Sequence, residues 1–338
     1  MSGRLDLRRG VVVSSDPLVV EVDGQERRAW ADEVLLGEMR EGDEVVVNAA
    51  ALDLGLGSGG FDVVHVNLTR GLSGGVDGDA HVMKLNYTSL QHPVEPVEGA
   101  GGERKSVPVA VLPLHGHLAP AAWTAAQAWP GTRVGYVQTG GGALPGSLSR
   151  DVATLRDRGL LAGHVTAAPS YGGEHEALST VGALDAAASA LDWDAILVGP
   201  GPGIIGSDTE FGHGGMEALN SAHAALSLEL PTIISPRLSS GDPRERHRGL
   251  SHHTATVLEL LLAPVIVAIP EGVPDLASQI SGASIGLHRV ESVPVDLDGY
   301  AASGLPASTM GRRLTDDPLF FEAPLAAGAR LVASRGFP

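Results

Sequence analysis

The stretch 107-VPVAVLPLHGHLAPAAWTAAQAWPGTRVGYVQT-139 decides the fold. An apolar, β-branched run opens it. A polar loop with two histidines follows, then an alanine-rich segment of helical length, then a second apolar run. Strands buried on both faces of a parallel sheet read as such near-continuous apolar runs, and strand–helix–strand is a βαβ unit. The alternation continues downstream. Strands are predicted at 107-VPVAVLPL, 133-RVGYVQT, 164-HVTAAP, 195-AILVGP, 231-PTIISP and 264-PVIVAI, with starts about 30 residues apart. Helices are predicted between them at 118-LAPAAWTAAQAW, 147-SLSRDVATLRDRG, 176-EALSTVGALDAAASAL and 216-MEALNSAHAALSL. Right-handed crossovers then give a doubly wound, mostly parallel, Rossmann-like three-layer α/β domain over residues 107–290.

Upstream the period changes. Residues 1–98 hold short β-branched segments, 10-GVVVSS, 18-LVVEV, 25-QERRAWA, 44-EVVVNAA, 62-DVVHVNL and 81-HVMKLNYT, separated by turns such as Asp23-Gly24. Short strands at close spacing predict a small antiparallel β-barrel. The segment 99–106, within 95-EPVEGAGGERKS-106, reads as a linker. Residues 291–338 read as a C-terminal extension packing on the α/β domain, with a strand at 288-HRVESVPV, another near 305-LPASTM, and a short helix opened by Asp317 as N-cap and Pro318 as first helical residue.

Composition narrows the function. With 338 residues the chain has room for two domains, and at 43% hydrophobic but 4% aromatic residues its core is aliphatic. A net charge of −17 works against nucleic acid and anionic lipid as partners. The absence of cysteine excludes disulfides, thiolate zinc sites and thiol nucleophiles. The opening MSGRLDLRRG lacks the apolar stretch of a signal peptide, and the longest apolar run, 254-TATVLELLLAPVIVAIP-270, is interrupted by Glu259 and Pro264. The expectation is a soluble, cytoplasmic protein, with a homo-oligomer left open.

In an open α/β sheet, ligands bind beyond the carboxyl ends of the strands. The loops expected there are 115-HGH, 139-TGGGALPGS, 169-PSYGGEHE, 199-GPGPGIIGSDTEFGHGG and 239-SSGDPRERHRGLSHH. His115, His117, His175, His213, His247, His252 and His253 fall on this edge, and His164 on the other. The richest segment is the last. Arg244, Arg246 and Arg248 present planar forks suited to a carboxylate or phosphate. Ser251 is placed to cap a helix whose first turn carries His252 and His253, where free N–H groups favour an anion. Adjacent on a helix, these two histidines point about 100° apart and are not expected to chelate one metal together. Asp242 can orient a histidine or bind a cation. In the glycine loop, Gly140, Gly141, Gly142 and Ser147 form a candidate anion nest, with Ser147 capping the next helix.

Each motif has a plainer reading. Glu174, His175 and Glu176 can start a helix, where acids suit the dipole. His213, among glycines, reads as an exposed loop residue, and Asp208 and Glu210 as a turn and a solvated face. Gly201, Gly203 and Gly206 match G-x-G-x-x-G, but two prolines remove donors and no helix opens at once, which argues against dinucleotide binding while leaving the glycines as ligand contacts. The G-x-S-x-G matches at Ser73 and Ser284 do not sit between a parallel strand and a helix, as a nucleophile elbow requires. The tail 308-STMGRR can close over the sheet edge or stand as a solvated turn.

The segments 84-KLNYTSLQ, 141-GGALPGSLS, 199-GPGPGIIGS, 242-DPRERHRGLSHHT and 307-ASTMGRRLTDDPLFF resemble a bacterial family catalogued as domain of unknown function 3866. The resemblance runs over most of the chain and is most specific at DPRERHRG-SHH. It supplies no activity and no catalytic residue. It implies that His117, His175 and His213 are surface residues, leaving His115, His247, His252 and His253 as the better candidates.

The reading that follows is an enzyme for hydrolysis or group transfer on a small anionic substrate. Arg244, Arg246, Arg248 and the glycine loops would hold the anion. His115, His247, His252 and His253 would act as acid–base groups, since histidine titrates near neutrality. A divalent metal, on Asp242, His115 and Glu174, is an open possibility. The alternatives are a non-catalytic nucleotide or metabolite sensor and an oligomeric assembly protein.

Overall fold

The computed structural model describes residues 4–56, 59–72, 80–101, 104–207, 209–283 and 287–333. Two compact units divide it, Met1–Glu95 and Pro96–Pro338. Among the described residues no helix is long and apolar enough to cross a membrane.

The first unit is a closed five-stranded barrel. Its strands are β1 (Leu7–Ser15), β2 (Leu18–Val22), β3 (Gln25–Trp30), β4 (Glu44–Asn48) and β5 (Asp62–Asn67), in the order β1-β2-β3-β5-β4. Alternation sends Val45 and Val47 of β4 inward to meet Val12, Val20, Val22 and Val64. Closure differs from the all-antiparallel expectation, because β3 and β5 pair in parallel. Two single-turn helices, α1 (Glu33–Leu36) and α2 (Ala50–Asp53), occupy the connections. The strand predicted at residue 81 is outside the barrel. It forms a separate hairpin of β6 (Val82–Lys84) with β7 (His92–Val94).

The second unit is built on eight parallel strands. These are β8 (Val109–Val111), β9 (Val134–Thr139), β10 (Gly163–Ala167), β11 (His175–Ala177), β12 (Ala195–Pro200), β13 (Thr232–Ile234), β16 (Ile266–Pro270) and β17 (Arg289–Val293). A small antiparallel pair, β14 (Leu238–Ser239) and β15 (Gly249–Leu250), lies between β13 and β16 in sequence. The sheet order is β11-β10-β9-β12-β8-β13-β16-β17. Successive side chains of the central strand enter different cores. Val109 and Val111 join one, Ala110 and Leu112 the other. Helices α5 (Thr180–Ser189), α6 (Glu217–Ser227), α7 (His252–Leu260) and α8 (Pro274–Ala283) cover the first face. The second face is covered by α3 (Leu118–Ala128), α4 (Arg150–Asp157), α9 (Leu297–Ala302) and α10 (Pro318–Ala333).

This winding makes the crevice. β8 leads into α3 on one face, while its neighbours β12 and β13 lead into α6 and α7 on the other. Loops that part to opposite faces leave a gap at the carboxyl ends of the strands.

Several local expectations change. Glu174, His175 and Glu176 do not start a helix: residues 175–177 form edge strand β11, and Ser179 caps α5 three residues later. The cap of α4 is Ser149, whose Oγ accepts from Val152 N at 3.1 Å, rather than Ser147. The segment before β8 is tied down, with Val97 N donating to Glu176 O and Ala100 N to Ser189 Oγ. The tail helix is 16 residues long, not short, and its Phe320, Phe321, Leu325 and Leu331 complete the second core. Two small β-strands, β18 (Ser308–Thr309) and β19 (Arg312–Arg313), form a hairpin just before it.

Helix α10 packs very close to α3. A Cβ at Gly328 would lie 2.2 Å from the Ala121 carbonyl oxygen, and backbone cannot give way as a flexible side chain does. Gly328→Ala is therefore expected to destabilise the chain by about 1–3 kcal/mol, a melting-temperature loss of about 2–4 °C per kcal/mol. Thermal unfolding measures it, and an unchanged midpoint would show that the two helices are not in backbone contact at this point.

Candidate functional site

At the carboxyl end of the sheet the loops enclose a cavity of about 480 Å³. Leu114 and His115 reach it from the loop after β8, residues 202–207 from the loop after β12, Arg237, Arg244, Arg246 and His247 from the loop after β13, His253 from α7, and Thr309, Met310 and Phe320 from the tail. The size suits a small ligand, for which pockets run about 300–1,000 Å³.

The charged part of the site is built on two buried carboxylates. Asp242 has no exposed surface. Arg244 grips it as a fork, Nε to Oδ1 at 3.0 Å and Nη2 to Oδ2 at 2.9 Å, while Arg237 and Arg312 each bring Nη2 to 3.5 Å from Oδ2. Burial alone would push this carboxyl up. The Arg244 hydrogen bonds and the charges of Arg244 and Arg312 override that and hold it well below the usual range. Asp317, also fully buried, accepts from Ser239 Oγ at 2.6 Å, Ser240 N at 2.7 Å, Gly241 N at 3.1 Å and Arg312 Nε at 3.0 Å. The aspartate expected to cap α10 thus fastens the tail to the loop after β13. Arg237 is buried, and its Nη2, like that of Arg312, makes no hydrogen bond. Burial first, then the charges of Arg244, Arg312 and Arg246 against that of Asp242, push Arg237 down to about 10.

Four histidines stand beside these arginines. His247 is buried and shares a 2.7 Å hydrogen bond between Nδ1 and Ser251 Oγ. Ser251 also caps α7, accepting from His253 N. His252 and His253 follow in the first turn, with ring centroids 4.9 Å from that of His247. Arg237 Nη1 donates to His253 Nδ1 at 3.1 Å. His213, from the loop after β12, stacks on His253 with centroids 3.5 Å apart. All four imidazoles are pushed down, by burial first. Arginine charge adds to this throughout, and neighbouring imidazoles add at His247, His252 and His253; the Glu210 carbonyl at His213 and Asp242 at His247 pull the other way. His247 reaches about 3 and His253 about 2, so both are neutral at pH 7. His213 and His117 are buried, contrary to the surface placement that the resemblance implied.

The remaining expected residues have other surroundings. His115 lines the cavity, but its ring is engaged: Nδ1 donates to the Pro200 carbonyl at 3.1 Å, leaving Nε2 for Ser149 Oγ at 2.7 Å. Arg248 donates to the Asp242 carbonyl at 2.9 Å and steadies the loop. Glu174 pairs with Arg156. The three proposed metal ligands Asp242, His115 and Glu174 therefore form no common donor set, because each is already paired with a different group. The glycine loop is no open nest either. A Cβ on Gly142 would lie 2.2 Å from Gly201 O, one on Gly201 equally close to Ala143 O, and Ala143 N donates to Pro202 O. These glycines let two loops lie backbone against backbone. Gly140 abuts Pro169, and Gly141, at φ +90°, abuts Gly214. Ser147 is exposed in a 3-10 turn. Gly203 and Gly206 do line the cavity. Asp208, Ser73 and Ser284 lie outside the described residues.

Arg237, Arg312 and Asp317 are not among the site residues expected from the sequence. Asp317 reads there as a helix cap and Arg312 as part of a tail turn that can close over the sheet edge, and the partner that gives Asp317 its role, Ser239, is 78 residues away. Arg237 follows β13 with no motif around it, although its partner Asp242 is near in sequence.

His117 sets a pH dependence. Buried beside Ser235 and Phe320, it is pushed down to about 3 by burial first and then by Arg237. Its folded pKa lies below the unfolded value of about 6.5, so the unfolded chain takes up the proton first. The contribution to stability is complete above pH 6.5 and is lost as pH falls toward 3. His247 and His253 act in the same direction. Urea unfolding is expected to show stability falling between pH 7 and 5, and His117→Asn is expected to remove roughly 2 kcal/mol of that fall. A stability that rises on acidification would contradict the buried neutral assignment.

Residues 28–328 match the family model described as "Protein of unknown function (DUF3866)". No curated protein and no solved structure matches the chain. The match begins within β3 of the barrel, covers the whole parallel sheet and most of the tail helix, and so the chain belongs to the DUF3866 family.

Proposed function

We propose that this protein is an enzyme that carries out hydrolysis or group transfer on a small anionic substrate at the carboxyl edge of its parallel sheet. The observation that carries the reading is Arg237. A buried guanidinium with an Nη2 that makes no hydrogen bond lines the same cavity as Arg244 and Arg246. Buried donors are almost always satisfied, and a planar fork is suited to a carboxylate or phosphate.

The histidines supply the chemistry in this reading. His247 and His253 line the cavity as neutral imidazoles. A negative charge bound among the arginines favours imidazolium and raises the pKa of His247 toward the physiological range, where general acid–base catalysis is effective. Substrate binding thus brings the proton donor into range. Ser251 holds the His247 ring through Nδ1, and Asp242 is a positioning residue that fixes Arg244.

Thermal shift with inorganic pyrophosphate and a turnover panel of phosphate monoesters and carboxylate esters test the proposal. The wild-type chain is expected to be stabilised, by about 2.7 kcal/mol at a hundredfold excess over Kd. Arg237→Met is expected to weaken binding and turnover by about tenfold or more, and Arg237→Lys to recover part of the binding. Binding without turnover would replace the enzyme by a sensor. An anion-insensitive wild type, or an Arg237→Met variant that binds equally well, would overturn the site.

A further inference from the structure

We propose that His213, His252 and His253 bind one divalent transition-metal ion of the zinc type, next to the anion site. One ring nitrogen from each of the three lies within 4.8 Å of the others. They come from two separate elements, the loop after β12 and the first turn of α7, where His252 and His253, although adjacent, bring their ring centroids to 4.4 Å, contrary to the expectation that they would not share an ion.

The unsatisfied atoms point the same way. His213 is 7% exposed, and neither of its ring nitrogens makes a well-formed hydrogen bond; nor does Nε2 of His252. A buried imidazole whose nitrogens lack well-formed hydrogen bonds is costly, and at His213 it faces a second unsatisfied nitrogen on His252. Burial disfavours the charged form of all three rings, and the neutral form is the one that ligates a metal. Imidazole donors suit zinc and its neighbours, and three of them leave a coordination position open, as in catalytic rather than structural sites. His213 and His253 both line the cavity, so that position can face a bound anion.

Three adjustments accompany binding. Arg237 releases His253 Nδ1, because a neutral imidazole that accepts from an arginine has no second lone pair for a metal. Metal–nitrogen bonds of about 2.0–2.1 Å require the three nitrogens to draw in to about 3.3 Å of one another. The rings of His213 and His253 lie within 9° of parallel, so one of them turns out of the stack to aim its lone pair at the ion. Backbone hydrogen bonds from Ser207 N to Gly212 O and from Gly214 N to Ile205 O hold the segment around His213, so the movement falls to the His213 side-chain torsions. The nearby arginines oppose a cation, and a bound anion offsets them. The role of the ion in catalysis rests on the anionic-substrate reading, but its binding does not.

The test uses tag-free full-length protein, stripped with chelator, dialysed, and titrated with Zn²⁺ alone while metal content is measured by mass spectrometry. One ion per chain is expected. His213→Gln and His252→Gln are each expected to weaken binding at least about tenfold, with His175→Gln on the edge strand unchanged. Zinc X-ray absorption on the wild-type chain serves if a variant fails to fold, and should show imidazole scattering with three nitrogens at about 2.0 Å. Less than a substantial fraction of an ion per chain, an oxygen-only shell, or full binding by the His213→Gln variant would overturn the site. Because no turnover or anion enters these readouts, a failure here is distinct from failure of the anion site.

Discussion

The buried ion cluster around Asp242 is the constraint on which the functional end of the molecule depends. A carboxylate with no solvent exposure keeps its charge only if cations and hydrogen bonds replace water. Here Arg244 supplies a two-pronged contact, and Arg237 and Arg312 approach from the end of β13 and from the tail hairpin. Removing Asp242 would leave the buried Arg237 without a counter-charge, which is worse than never having built the pair. The cluster therefore holds three segments in one arrangement. Asp317 repeats the device, tying residues 239–241 to the first turn of α10.

The cationic surplus follows from the same geometry. Three arginines meet Asp242, and one of them is shared with Asp317. The Nη2 groups of Arg237 and Arg312 stay near Asp242 without hydrogen-bonding it. In a chain with net charge −17, this local reversal of sign is concentrated at the one edge where a doubly wound sheet opens a crevice. Fold and chemistry meet there because the loops of β8, β12 and β13 depart to opposite faces.

Much of this architecture was legible in the sequence. The apolar runs from Val107 onward, each followed by a loop and an alanine-rich helix, mark the strands of the sheet, since parallel strands buried on both faces are predominantly apolar. The clustering of histidines and arginines between β13 and α7 pointed to the candidate site, because those residues gain nothing from an apolar interior. What stayed hidden depends on distance in sequence. His213 looked exposed among its glycines, and only the approach of α7 buries it. Arg312 looked solvated in its turn until Asp242 and Asp317 are brought to it. β11 carries a histidine and a glutamate in three residues, a composition without strand character, and pairing with β10 alone makes it one. The glycine loops misled for the opposite reason. Glycine permits close approach without saying what approaches, and at Gly142 and Gly201 it is another loop rather than a phosphate.

The central claim is that segments far apart in the chain form a single anion site. Hydrogen–deuterium exchange with and without inorganic pyrophosphate tests it most directly, read over residues 114–116, 202–207, 237–247 and 309–310. The account predicts that all four segments slow together when the anion is added. Protection confined to one segment, or found only elsewhere in the chain, would contradict it.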